Sequence, residues 1–216
     1  MRQVSQEEAV ALLDELNAVW EGHFIGAELK HLSGYVQKDV PTTYPVQLRT
    51  FAEGIAWLVR DIPVDVIASP ELGAIALGSR VAEELGVRFV IIEKAGLKGM
   101  DIGRTTFIEA VRGQRVGLVE DIVSRGKTSR DSRAAVEATG GAVAYATALY
   151  SRSGETAETL QVPVFRPLVN RMLQDWPDQY SCQLCRDGVP IVLDVGHARE
   201  FKEKNPEFEI EYITRR

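Results

Sequence analysis

The chain opens with an amphipathic pattern. Ala9, Leu12, Leu13, Leu16 and Val19 fall on one face of a helical repeat, and Ser5 and Glu8 stand ahead of it at capping-box spacing. The stretch Phe24 to Asp39 is mixed in polarity, with Ser33-Gly34 as a turn. Pro45 suits the first turn of a second helix, whose buried side is Leu48, Phe51, Ile55 and Leu58. From Val64 the rhythm changes. Short apolar runs without clean alternation predict strands at Val64–Ala68, Val87–Ile92, Gln114–Val119 and Ala142–Tyr150. Helical patterns lie between them at Ile75–Leu85, stopped by Gly86, and at Asp131–Thr139. This order indicates an α/β fold with a mostly parallel sheet covered on both faces. Ligands then bind beyond the carboxyl ends of the strands, at the loops after Ala68, Ile92 and Val119. The charge-rich tail from Phe201 reads as a surface helix or strand, or as frayed chain.

The length, 216 residues, fits one domain or a domain with a small appendage. A net charge of −6 argues against a polyanion partner, and no basic patch offers one locally. The N-terminal segment is amphipathic and acidic, without the apolar stretch of a signal peptide, and no apolar run is long enough to span a bilayer. Only two cysteines occur, Cys182 and Cys185, so a reducing compartment is the default. A soluble cytoplasmic protein, binding neither nucleic acid nor membrane, is expected.

The chemistry concentrates in Arg115 to Arg130. An apolar strand ends in two carboxylates, Glu120 and Asp121, followed by a loop from Ser124 to Ser129 that contains Gly126, and then by a helix. Backbone N–H groups at a helix start, with Ser and Thr hydroxyls, cradle an anion. Gly126 permits close approach of backbone to phosphate, and Arg125 and Lys127 add positive charge. The carboxylates suit vicinal hydroxyls, or a phosphate reached through Mg²⁺. The plainer alternative is a βα turn with Thr128 as an ordinary cap. Neither a P-loop nor a Gly-x-Gly-x-x-Gly fingerprint is present.

The segment Glu120 to Ser129, EDIVSRGKTS, resembles the 5-phosphoribosyl-1-pyrophosphate (PRPP) signature of type I phosphoribosyltransferases. That resemblance implies the type I fold, a mostly parallel twisted sheet flanked by helices with a small hood from the N-terminal segment. It also implies that Glu120 and Asp121 hold the ribose and that Ser124, Arg125, Gly126, Lys127 and Thr128 form the phosphate loop. Arg125 replaces a small hydroxyl residue common in the family. The loop Ser69-Pro-Glu71-Leu72-Gly73 sits where the family binds pyrophosphate. The basic, glycine-rich stretch Glu93 to Arg104 is similar to the mobile catalytic loop of orotate phosphoribosyltransferases. By that resemblance Lys94, Lys98 and Arg104 act catalytically with Asp121 on the departing pyrophosphate. Mg²⁺ is the implied cofactor, carried by PRPP with no direct protein ligand and with Glu71 or Asp121 reached through water. Loop exchange between two copies implies a homodimer.

Further segments extend the resemblance to bacterial orotate phosphoribosyltransferases. Trp20-Glu-Gly-His-Phe24 matches their hood, and Ser181-Cys-Gln-Leu-Cys-Arg-Asp-Gly-Val-Pro190 matches a C-terminal segment found in part of that family. Arg152 matches an arginine that engages orotate, a use suited to guanidinium, and Ser124 matches a hydroxyl that touches the base. The hood departs at Ala27-Glu28-Leu29, where the family carries a basic residue and Ser-Gly. Tyr35 remains to stack on a base, and Lys30 and His31 to supply charge from a shifted position. The implied reaction moves ribose 5-phosphate from PRPP to a pyrimidine, orotate first, in UMP synthesis. A different nucleobase and a non-catalytic PRPP sensor stay open. The expected organisation is one domain, with a hood over about 1–42, a core over about 43–165 and a C-terminal extension over about 166–216. Cys182 and Cys185 are expected to be reduced thiols or a structural turn, since zinc needs four ligands. His23 is expected to be a packed or capping residue, and Trp20, Trp57 and Trp176 core or interface residues.

Overall fold

A computed structural model describes residues 1–96 and 99–215. In chain order the elements begin with α1 (Gln6–Glu15), β1 (Val19–Ile25), β2 (His31–Val36), α2 (Pro45–Val59), β3 (Val66–Pro70), α3 (Ile75–Leu85) and β4 (Arg88–Lys94). There follow β5 (Met100–Asp101), α4 (Thr105–Val111), β6 (Arg115–Val123), α5 (Lys127–Ala138), β7 (Ala142–Ser151), α6 (Ala157–Leu160) and β8 (Val169–Asn170). The last are β9 (Asp175–Trp176), α7 (Gln183–Arg186), β10 (Ile191–Val192), α8 (Ala198–Lys204) and β11 (Tyr212–Ile213). They divide into two compact units. One comprises Met1–Leu16 and Lys38–Met172, the other Asn17–Gln37 and Leu173–Arg216. The helix expected in the hood, α1, therefore belongs with the large sheet, and the C-terminal residues belong with the N-terminal hairpin.

The larger unit is built on a sheet ordered β5-β4-β3-β6-β7-β8. All neighbours are parallel except β5, which turns back antiparallel on β4. Pleating sends alternate residues of β3 to opposite faces. Val66 and Ala68 join one apolar cluster with Val116 and Leu118 of β6, Val111 of α4, and Ala135 and Val136 of α5. Ser69 faces the other way, toward Gly78 of α3, where an added Cβ would lie 1.9 Å from its Oγ. Helix α2 buries Leu48, Phe51, Ile55 and Val59, and Leu58, expected on that face, is half-buried instead. The Ser5 cap forms as expected, its Oγ accepting the Glu8 N–H at 3.1 Å. The Glu8 carboxylate binds Arg2 rather than completing a capping box.

Two boundaries differ from expectation in ways that matter for the site. Strand β6 runs on through the acidic pair to Val123, because pairing with β7 continues to Val123↔Ser151. Helix α5 starts at Lys127, four residues earlier than its apolar pattern begins. Val19 opens β1 and is not part of α1.

The smaller unit is a sheet ordered β11-β10-β1-β2-β9. The β1–β2 hairpin is antiparallel, and β10 adds parallel to β1 at His23↔Ile191. Its interior is thin: Ile25, Ile191, Ala198 and Phe201 on one side, and Phe24, Leu32 and Val192 on the other. The tail from Phe201 resolves into the end of α8 and the short strand β11. Trp20, Trp57 and Trp176 are half-buried.

Candidate functional site

Strand pleating separates the two carboxylates of β6. Glu120 follows Leu118 onto the α5 face, is only 4% exposed, and accepts a short hydrogen bond from the Ser129 hydroxyl. Burial pushes its carboxyl up to about 7, with a smaller push from neighbouring Asp121 and an opposing pull from Ser129. Asp121 points to the other face. Its Oδ2 lies 3.7 Å from Lys38 Nζ, and a Cβ added at Gly73 would stand 2.0 Å from that same oxygen. The loop after β3 is thus drawn against Asp121, at a contact only glycine permits.

The next turn of β6 delivers the chain into α5. Arg125 and Gly126 both adopt left-handed backbone, with φ of 55° and 63°. Gly126 is the N-cap and, having no side chain, offers the first-turn N–H groups no side-chain cap. These donors, with the helix dipole, are available to an anion. Ser124 and Arg152 come together, Arg152 Nη2 donating to Ser124 Oγ at 3.0 Å. Lys127 pairs with Asp131 at 2.5 Å, and Thr128 is exposed inside the first turn of α5, beyond the cap.

After β3, the Glu71–Leu72 peptide is cis, and Leu72 is 76% exposed. Glu71 Oε1 accepts the Lys94 backbone N–H at 2.8 Å, which ties this loop to the end of β4. The Ser69 hydroxyl is fully buried under the loop. The stretch that follows β4 forms a hairpin through β5, with Glu93 opposite Asp101. Arg104 reaches back to Glu93 Oε1 at 2.8 Å. Lys94 is exposed, and Lys98 lies outside the described residues. Tyr35 and Lys30 belong to the smaller unit. There Tyr35 packs at a tilt against Phe24 and Trp20 at centroid distances of 5.6 and 6.4 Å, and Lys30 lies 3.6 Å from Glu28.

No protein-family model matches the sequence. The orotate phosphoribosyltransferase of Thermus thermophilus is 32% identical over 184 residues, covering 85% of this chain and 98% of that protein. The chain belongs to the orotate phosphoribosyltransferase family. Two structures of a family member from Mycobacterium tuberculosis share its fold. The complex with Fe(III) dicitrate has a TM-score of 0.61 at 20% identity, covering 76% of this chain and 95% of that one. The complex with PRPP has a TM-score of 0.51 at 21% identity, covering 63% and 80%. The fold is therefore that of a type I phosphoribosyltransferase, and the chain is a phosphoribosyltransferase by family.

Motif reading missed two residues here. Lys38 lies outside any motif, and only the fold brings it to Asp121. Ser129 stood within the signature, and its burial against Glu120 depends on α5 starting early.

Proposed function

We propose that this family member transfers ribose 5-phosphate from PRPP to orotate, forming orotidine 5′-monophosphate and pyrophosphate. The meeting of Asp121, Gly73 and Lys38 at the carboxyl end of β6, beside the uncapped start of α5, carries the reading. The first-turn N–H groups of α5, with Ser124, Gly126 and Thr128, hold the 5-phosphate. Glu120 and Asp121 take the ribose hydroxyls, Glu120 from a buried position that pushes its carboxyl pKa up. The loop Glu71-Leu72-Gly73 faces pyrophosphate through its backbone, and Glu71 keeps that loop fixed to Lys94.

A half-buried carboxylate beside a phosphate loop fits Mg²⁺, which prefers one or two carboxylates together with substrate phosphates. Asp121, through water, is the residue that would meet it, since Glu71 is engaged by the Lys94 N–H. Bound there, the ion would neutralise charge on the leaving group. Lys94 and Arg104 supply positive charge to pyrophosphate as the anomeric carbon–oxygen bond breaks, and Lys98 belongs to the same basic stretch. The carbon–nitrogen bond to the base forms as the ring N–H gives up its proton to the departing pyrophosphate, directly or through water. Arg152, oriented by Ser124, pairs with the carboxylate of orotate.

A homodimer exchanging the Glu93–Arg104 loop completes the proposal, as does a cytoplasmic location. Among the described residues no helix is long and apolar enough to cross a membrane. PRPP-dependent loss of orotate absorbance tests the transfer, and Asp121→Asn and Lys94→Ala should each lower kcat/KM at least about a hundredfold. Mixing those two inactive variants should restore activity if loops are exchanged. Mixtures that stay inactive would exclude the exchange.

One observation favours a second reading of the base. Ala27–Leu29 forms a short 3₁₀ turn with left-handed backbone at Glu28 and Leu29, φ 58° and 57°. Turnover of another nucleobase, with none of orotate, would reassign the hood and keep the PRPP site. PRPP binding without turnover of any base would instead indicate a sensor.

A further inference from the structure

The smaller unit gathers four side chains that the transfer chemistry does not use. His23 on β1, His31 on β2, and Cys182 and Cys185 at α7 place their ligand atoms all within 4.8 Å of one another. His23, His31 and Cys182 are fully buried, and Cys185 is half-buried. Both cysteines are free thiols and His23 is packed, as expected from the sequence. What the sequence does not show is that all four side chains are neighbours within one chain.

The distances have the scale of a tetrahedral shell. Cys182 Sγ and Cys185 Sγ lie 3.7 and 3.8 Å from His23 Nε2, and Cys185 Sγ lies 3.3 Å from His31 Nδ1. Zinc–sulfur bonds of about 2.3 Å and zinc–nitrogen bonds of about 2.0 Å at tetrahedral angles require nitrogen–sulfur separations of about 3.5 Å. The two ring nitrogens, His23 Nε2 and His31 Nδ1, are 2.7 Å apart. Without a cation they share one proton. A cation in its place would part them by about 0.6 Å to the tetrahedral spacing.

The surroundings prepare the ligands. His23 Nδ1 lies 2.8 Å from the Val189 carbonyl and donates its proton there, which leaves the Nε2 lone pair facing the cysteines. Two thiolates and one divalent ion sum to zero charge, the combination a buried site tolerates best.

We propose that His23, His31, Cys182 and Cys185 bind one Zn²⁺ ion in a closed structural site that fastens the β1–β2 hairpin to the C-terminal segment of the smaller unit. Four protein ligands leave no open coordination position, so the ion has no catalytic role. Its place is where the unit most needs a cross-link. The apolar interior on each side is a handful of residues, and β9, β10 and β11 are two residues each. The softer, sulfur-containing ligand set selects zinc over the hard Mg²⁺ proposed for the transfer site.

Metal analysis of the full-length wild-type protein, expressed with added zinc and desalted under reducing conditions, should find about one zinc per chain. Reconstitution of the metal-stripped chain with Co²⁺ should saturate at about one equivalent. It should give thiolate-to-cobalt charge-transfer absorption and intense tetrahedral d–d bands. Cys182→Ser and Cys185→Ser should each lose or greatly weaken that signal, while His197→Ala, at an exposed histidine, should keep it. Should the cysteine variants fail to fold, the wild-type zinc content and cobalt spectrum still decide. The proposal fails if wild-type protein retains no zinc and Co²⁺ gives no thiolate charge transfer. It fails equally if anaerobically prepared protein contains a Cys182–Cys185 disulfide.

Discussion

Glu120 and Asp121 are adjacent in sequence and chemically alike, yet one residue of strand pleat gives them different lives. Glu120 is buried against Ser129, and Asp121 stands beside Lys38 at the loop. Because the folded pKa of Glu120, about 7, lies above its ordinary value of 4.5, the fold favours the protonated form. That contribution is complete below about pH 4.5 and is lost as pH rises through about 7, amounting to something on the order of 3 kcal/mol. The free protein should therefore melt at a lower temperature at pH about 8 than at pH about 5, and Glu120→Gln should flatten that part of the profile in a thermal-melt series. Gly73→Ala tests the other carboxylate. Its Cβ would meet Asp121 Oδ2 at 2.0 Å, so the loop must retreat. We expect PRPP affinity by calorimetry to fall at least about tenfold, with a stability loss of about 1–3 kcal/mol. Ser124 and Arg152 were each legible as candidates through family resemblance, but their hydrogen bond to one another was not. The opposite facing of the two acids was not, since it follows from how far β6 continues, and pairing with β7 decides that.

At the level of elements, the parallel strands and α3 were legible because apolar runs and a stopping glycine mark them. The start of α5 was not. The stretch Ser-Arg-Gly-Lys-Thr-Ser-Arg has no apolar periodicity, so its helical residues are set by backbone geometry at Gly126 rather than by a buried stripe. An alanine at position 126 would hold φ near +63° at a cost and would bring a Cβ to 2.1 Å from Leu160 Cδ2. We expect Gly126→Ala to destabilise by about 1–3 kcal/mol and to weaken binding of inorganic phosphate, read by chemical denaturation and calorimetry. The described residues of the stretch after β4 include a short strand that its glycine content did not suggest. Strand β5 pairs with the end of β4, and Arg104 reaches back to Glu93.

The whole molecule divides where the sequence shows no linker, because each unit is assembled from two separated stretches of chain. Composition cannot reveal such a boundary. Neither does it show that two histidines near residue 25 and two cysteines near residue 183 are neighbours. Removing residues 173–216 would strip β9, β10 and α8 from the hairpin and uncover Phe24, Ile25 and Leu32, each now at most 3% exposed. The truncated chain should go to the insoluble fraction or bind a hydrophobic dye strongly, whereas the intact chain should do neither. The same arrangement sets a timetable for a nascent chain. The hairpin leaves the ribosome early, and its partners, Asp175–Trp176 and Ile191–Val192, emerge about 150 residues later. At a synthesis rate of about 5–20 residues per second that is a wait of roughly 8 to 30 s. During it the large sheet can form while the hairpin's apolar faces stay uncovered, so early translation is when this protein has most need of a chaperone.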